Sequence, residues 1–203
     1  TRYFGRSREA NSAADDQDLK TPPRPEAVMI NVSPSIVRSA VPADEEQLWK
    51  LFRLMHSETA LLPMSEPKVQ DYLRRVLYPE TISPNDTGPR GIIGVIGSPS
   101  RLEAAIMLIL GQIWYSEEVT LMDALNFVHP DFRQSDHAKT LISYGKHVVD
   151  EIRQAHPTFQ MMIGIVSTKR TAAKIRLFRR QLVEAGSVFI YPSPAGHEPA
   201  EVS

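Results

Sequence analysis

The sequence predicts an α/β fold, in the α+β sense of a mixed sheet carrying helices on its faces. Two observations lead there. Three apolar runs, at 91–97, 102–116 and 119–128, are separated by turns too short for a crossover, so they should be antiparallel neighbours. The next apolar run, 159–167, lies beyond an amphipathic helix. Such a helix returns the chain in the same direction, which makes this run parallel to 119–128.

The elements follow in order. "SIVRSAV" reads as a first strand. "PADEEQLWKLFRLMHSET" reads as a helix with Asp44 as its cap and Glu45 and Glu46 in the first turn, where the helix dipole favours acids. Leu48, Trp49, Phe52, Met55 and Thr59 keep helical spacing. A second helix starts near Ser65, with Val69, Tyr72, Leu73, Val76 and Leu77 on one face. "PETISPNDTGPRG" is loop. In the long run 102–116, Gly111 marks a bulge or bend, and Glu117-Glu118 make a tight turn. A third helix spans 136–154 on Ala138, Leu141, Ile142, Gly145, Val148, Val149 and Ile152. After the strand at 159–167, a helix from Thr168 closes at Gly186, and "SVFIYP" is a last strand.

Composition sets the bounds. The chain has 203 residues, 42% of them hydrophobic, and a net charge of −1. That fits one domain with a real core and gives no whole-chain pull towards nucleic acid. There is no cysteine, which excludes disulfides and thiol nucleophiles. No apolar run reaches the length of a membrane span, and a cytoplasmic setting is expected. Residues 1–35 form a polar arm whose five basic and five acidic residues cancel. Such a segment cannot bury enough surface to fold alone, so it is expected to lie on its own domain or on neighbouring chains, as in a homo-oligomer. The domain proper runs over 36–191, and 192–203 is a tail.

The stretch "FVHPDFRQSDHAK" (127–139) carries the first chemical signal. An apolar strand end, a proline turn, an arginine and a helix start follow one another. Free amides at a helix N-terminus, together with the helix dipole, favour an anion such as a phosphate. The alternative is an ordinary capped helix start. Asp123 is the second signal. Strict alternation puts Val119, Leu121, Asp123, Leu125 and Phe127 on one face, so a carboxylate stands among apolar neighbours. It is either functional or held by a structural hydrogen bond or a bulge. His129 and His137 show no metal-ligand spacing. Lys169, Arg170, Lys174, Arg176, Arg179 and Arg180 give the last helix a basic face, without the interleaved aromatics of a single-strand nucleic-acid surface.

The element order and the turn Val128, Pro130, Arg133 resemble the GCN5-related N-acetyltransferase (GNAT) superfamily over residues 36–191. In that family a [QR]-x-x-G-x-[GA] segment opens the next helix and its amides bind the pyrophosphate of acetyl-coenzyme A. Here that segment reads Arg133 to Ala138, with Asp136 in place of the middle glycine. The resemblance implies acetyl-CoA binding by Val128, Arg133, Gln134, Ser135, Asp136, His137, Ala138 and Lys139, with Thr168 at the start of the last helix. It implies Asp123 as general base and the acetyl group received beside Asn126. It also implies an acceptor pocket near His56 and Glu58. Two family features differ. The asparagine that places the pantetheine arm is replaced by Ser167-Thr168, and the proton-donating tyrosine position reads Phe178, leaving Tyr144 or Tyr191 as substitutes. Two functions are therefore expected as alternatives. One is an N-acetyltransferase for an unknown amine. The other is a non-catalytic subunit of a larger assembly, resembling phage-borne acetyltransferase-like proteins.

Overall fold

A computed structural model of the chain describes residues 37–59, 62–83, 85–165 and 170–186. The polar arm, Thr168, the last expected strand with Tyr191, and the tail lie outside the described residues.

The described elements are β1 (Arg38–Ser39), α1 (Glu45–Thr59), α2 (Glu66–Leu77), β2 (Gly91–Ser98), β3 (Arg101–Gln112), β4 (Val119–Val128), α3 (His137–Arg153), β5 (Gln160–Met162) and α4 (Thr171–Arg179). The five strands form one sheet in the order β1-β2-β3-β4-β5. The first three pairings are antiparallel, and β4 with β5 is parallel, as the crossover through α3 requires.

The sheet has two apolar faces because its central strand is buried on both. Ala105 and Met107 of β3 meet α1 and α2 through Leu48, Leu51, Phe52, Leu73 and Leu77. Ala104, Ile106 and Leu108 meet α3 through Leu141, Tyr144, Val148 and Val149. The apolar stripe expected on α3 is thus the one that seats it. Tyr144 joins that stripe by lying on Gly94 of β2. A Cβ at Gly94 would stand 2.5 Å from the Tyr144 ring. Gly94→Ala is therefore expected to cost about 1–3 kcal/mol, from forcing the ring or the backbone aside. Urea denaturation checks this, and an unchanged midpoint would refute it.

The structure corrects several expectations. Asp44 does not cap the free amides of α1. It is fully buried, and its carboxylate turns back to the Val41 amide and to Arg38. Gly111 pairs regularly with Thr120, and the irregularities of β3 lie elsewhere. One is at Gly97, where φ is +107°. The other is in β4, where Met107 faces Leu125 but Leu108 faces Asp123, so Ala124 is an extra residue. The turn between β3 and β4 is longer than two residues. Gln112 Nε2 donates to the Glu117 carbonyl and Ser116 N to the Ile113 carbonyl, and the loop leaves Trp114 94% exposed. β5 has three residues rather than the expected nine.

Candidate functional site

The bulge at Ala124 decides how β4 presents its side chains. Alternation does not run through it. Leu121 packs on the α3 side, whereas Leu125 and Phe127 pack on the side of α1 and α2. Asp123 stands where the strand changes over, so the expected single face of Leu121, Asp123, Leu125 and Phe127 is broken.

At the same place β4 parts from β5. The two pair only from Thr120 to Met122. At the next position the Gly164 amide donates to Asp123 Oδ1 at 2.7 Å, and the carboxylate also takes its own main-chain amide. A side chain replaces the next rung of the ladder, and Ala124–Val128 have no β5 partner among the described residues. The parting begins at Asp123, well before the end of β4 at Val128. Burial is the largest influence on the Asp123 carboxyl and raises it. The two amides and the nearby Lys174 charge oppose burial, and the net result is a pKa of about 6. The carboxylate therefore has a structural hydrogen bond and a perturbed affinity for protons together.

Charged side chains from four elements gather round this point. Burial lowers the Lys174 ammonium of α4. Glu58 of α1 and Asp123 act to raise it, and Arg133 and Arg170 act to lower it further. Arg133 is turned towards α1. It pairs with Glu58, lies 5.5 Å over the Phe127 ring, and its Nε donates to the Val128 carbonyl at 3.4 Å. Glu58 is thus fixed beside the opening between the strands. His56 faces a different group, the Leu62 carbonyl at 2.9 Å.

The junction into α3 is a tight and well-braced turn. The Arg133 and Ser135 amides donate to the carbonyls of Pro130 and Phe132, and the His137 amide donates to Ser135 Oγ at 3.3 Å. The amides of Gln134, Asp136, Ala138 and Lys139 donate to no protein acceptor among the described residues. These four are what the helix start offers an anion. Asp136 occupies the N-cap position, but its exposed carboxylate makes no cap hydrogen bond. The His137 side chain does not face the open amides. Its Nε2 meets Glu103 Oε2 at 2.7 Å, and its ring stacks on Phe132, which also lies 5.0 Å from the Arg101 guanidinium. Sequence reasoning missed Glu103. Its signal was a lone carboxylate inside the apolar run of β3.

Among the described residues, the buried side-chain atoms Asn126 Nδ2 and Gln181 Nε2 have no hydrogen-bond partner. Asn126 lies on the part of β4 that has left β5. Tyr144 lies on the far side of the sheet centre, against Gly94 of β2 and bonded to Ser39, so it does not reach the opening between β4 and β5. No group of three or more metal-ligating side chains is gathered among the described residues.

An antiparallel run of strands followed by a parallel pair across a helix is the arrangement that the resemblance to the GNAT acetyltransferases implied. No family model matches the chain. No curated protein matches it either. Solved structures do. A possible acetyltransferase from Clostridium difficile 630 aligns over 77% of this chain and 96% of its own, at 14% identity and a TM-score of 0.54. An aminoglycoside acetyltransferase from an uncultured soil metagenomic sample, in complex with trehalose, covers 77% and 94% at 12% identity and a TM-score of 0.50. AAC(6′)-Iy, in complex with the bisubstrate analogue CoA-S-monomethyl-acetylneamine, covers 77% and 96% at 14% identity and a TM-score of 0.51. The chain has the GNAT fold.

Proposed function

We propose that the protein is an N-acetyltransferase that moves an acetyl group from acetyl-CoA to an amine. The observation that carries this reading is the opening of β4 from β5 at Asp123, with a carboxyl of pKa about 6 at its root. A base of that strength is ionised at neutral pH and still accepts a proton readily. Asp123 would take the proton from the attacking amine, directly or through water, while the new carbon–nitrogen bond displaces coenzyme A as its thiolate, which takes a proton from water. Glu58 and Lys174 would line the acceptor side.

The free amides of Gln134, Asp136, Ala138 and Lys139 fit a pyrophosphate, and small Ala138 leaves room for its approach. Acetyl-CoA would supply the activated acyl group. Arg133 would act by holding the turn to α1 through Glu58. Asp136 opposes the anion, because its exposed carboxylate repels negative charge.

Thermal-shift titration tests this. Acetyl-CoA at a hundred times its dissociation constant is expected to stabilise the protein by about 2.7 kcal/mol. Asp136→Gly is expected to tighten binding several-fold by removing the repulsion. The absence of any response in both proteins would sink the reading. It would favour the second one, a non-catalytic subunit, for which the observations are Phe178 at the proton-donor position and the remoteness of Tyr144.

A further inference from the structure

α1 and α2 border a groove of about 860 Å³, and none of the side chains gathered round Asp123 lines it. Trp49 and Leu73 give it an apolar lining. Arg53 already rests 5.4 Å from the Trp49 ring, so the indole is left to pack against apolar groups rather than to take another cation. Glu45, Glu46 and Asp71 bring three carboxylates to the groove, against the one guanidinium of Arg74. Asp71 is fully engaged, since its two oxygens take Arg74 and Arg75. The other two acids are half used. Glu45 Oε2 accepts from the Tyr78 hydroxyl and Glu46 Oε1 from Lys50. Among the described residues, Glu45 Oε1 and Glu46 Oε2 accept no hydrogen bond. Open carboxylate oxygens on adjacent residues, beside an apolar lining, suit a cation carried by an apolar chain.

The protein's own sequence contains such a segment. The polar arm, outside the described residues, reads "LKTPPRPEA" over 19–27. Residues 19–25 include Lys20 and Arg24 and no acid, and Arg24 stands between Pro22 and Pro25. Proline fixes φ and biases such a run towards the extended polyproline II form, so little freedom is lost on docking. Runs of the form P-x-x-P recur as ligands of grooves lined by aromatic rings. The connection is long enough. Pro42 lines the groove, five positions after Val37, where the described residues begin. Pro25 lies twelve positions before Val37, a reach of up to about 40 Å.

We propose that the groove between α1 and α2 is the seat of residues 21–25 of the same chain. Pro22, Pro23 and Pro25 pack on Trp49 and Leu73, and Arg24 donates to the open oxygens of Glu45 and Glu46. The arm is thereby folded back on its own domain, at a place separate from the opening of β4 and β5.

Tryptophan fluorescence of the full chain tests this. The chain has two tryptophans, and Trp114 is 94% exposed, so Trp114→Phe leaves Trp49 as the reporter without touching the core. In that background Arg24→Glu is expected to shift the Trp49 emission to the red and to raise its quenching by acrylamide. A peptide of residues 17–30 should reverse both changes at millimolar concentration, the effective concentration that a short linker gives the tethered segment. The same peptide carrying Arg24→Glu should not. Without Arg24→Glu, the spectrum should be unchanged by dilution, because groove and segment belong to one chain. A red shift on dilution would give the seat to a second copy and overturn the proposal. Equal emission and quenching with and without Arg24→Glu, or a peptide that reverses neither change, would overturn it as well.

Discussion

Asp123→Asn is expected to lower amine acetylation by roughly 10²–10⁴-fold, the range a positioned general base contributes. The fold should survive it. The asparagine oxygen can still accept the Gly164 amide that joins β4 to the end of β5. The pH dependence separates loss of a base from loss of structure. In the wild type, kcat/KM should rise through pH about 6, as the carboxyl loses its proton. In the variant that limb should vanish. Stability should move the other way. The folded state raises this carboxyl from 3.8 to about 6, so between those values it holds a proton that the unfolded chain releases. Wild-type stability therefore falls as pH rises through that window, by at most about 3 kcal/mol, and the cost is complete above it. Asp123→Asn should be no less stable than the wild type at pH 8. An unchanged rate with a panel of primary amines would remove Asp123 from the chemistry and leave it the bracket between two strands.

Much of this arrangement was legible because it depends on periodicity. Leu141, Ile142, Val148 and Val149 announce the buried face of α3, and the runs around Ile93 and Ile106 announce a sheet covered on both sides. The direction of β5 followed from α3 alone. The bulge was not legible. No glycine or proline stands between Val119 and Val128, and an extra residue shows only when β3 fixes the register. Asp123 was singled out for the right cost, a carboxylate in an apolar strand, but on a face that the bulge divides. Trp114 and Tyr115 read as strand because aromatic residues favour strands, whereas the Ile113–Ser116 turn claims them. Partners distant in sequence escaped altogether. Arg133 has a charge suited to phosphate, and nothing in the sequence shows that Glu58, 75 positions away, pairs with it. The empty donor of Asn126 is equally invisible in a string of letters.

Asp44→Ala is expected to have the largest effect on stability, about 3 kcal/mol. The residue is an acid in a polar stretch, yet none of its surface is exposed. Its two oxygens meet Arg38 Nη1 and Nη2, both at 2.7 Å, and one also takes the Val41 amide at 2.8 Å. Arg38 in turn donates to the Gly97 carbonyl from Nε and Nη2, at 3.2 and 3.1 Å. One carboxylate thus ties β1, the turn into α1 and the end of β2. Alanine would strand the Arg38 charge and the Val41 donor together. Water softens the loss, because the Arg38 side chain is 36% exposed, and this places the cost at the lower end for a broken buried pair. The pH dependence has the opposite sign to that of Asp123. Burial acts to raise the Asp44 carboxyl, but the hydrogen bonds from Arg38 and Val41, with the Arg38 charge, outweigh it and hold the carboxyl below 3.8. Its contribution is present in full above that ordinary value and fades as pH falls through the lower, folded one. Urea unfolding of wild type and variant at pH 7 and near pH 3 reads both effects. The gap between their midpoints should narrow in acid, with equal slopes at each pH. A gap below 1 kcal/mol at pH 7 would mean that the seat of α1, and with it the place of Glu58 beside the opening of β4, is held by apolar packing alone.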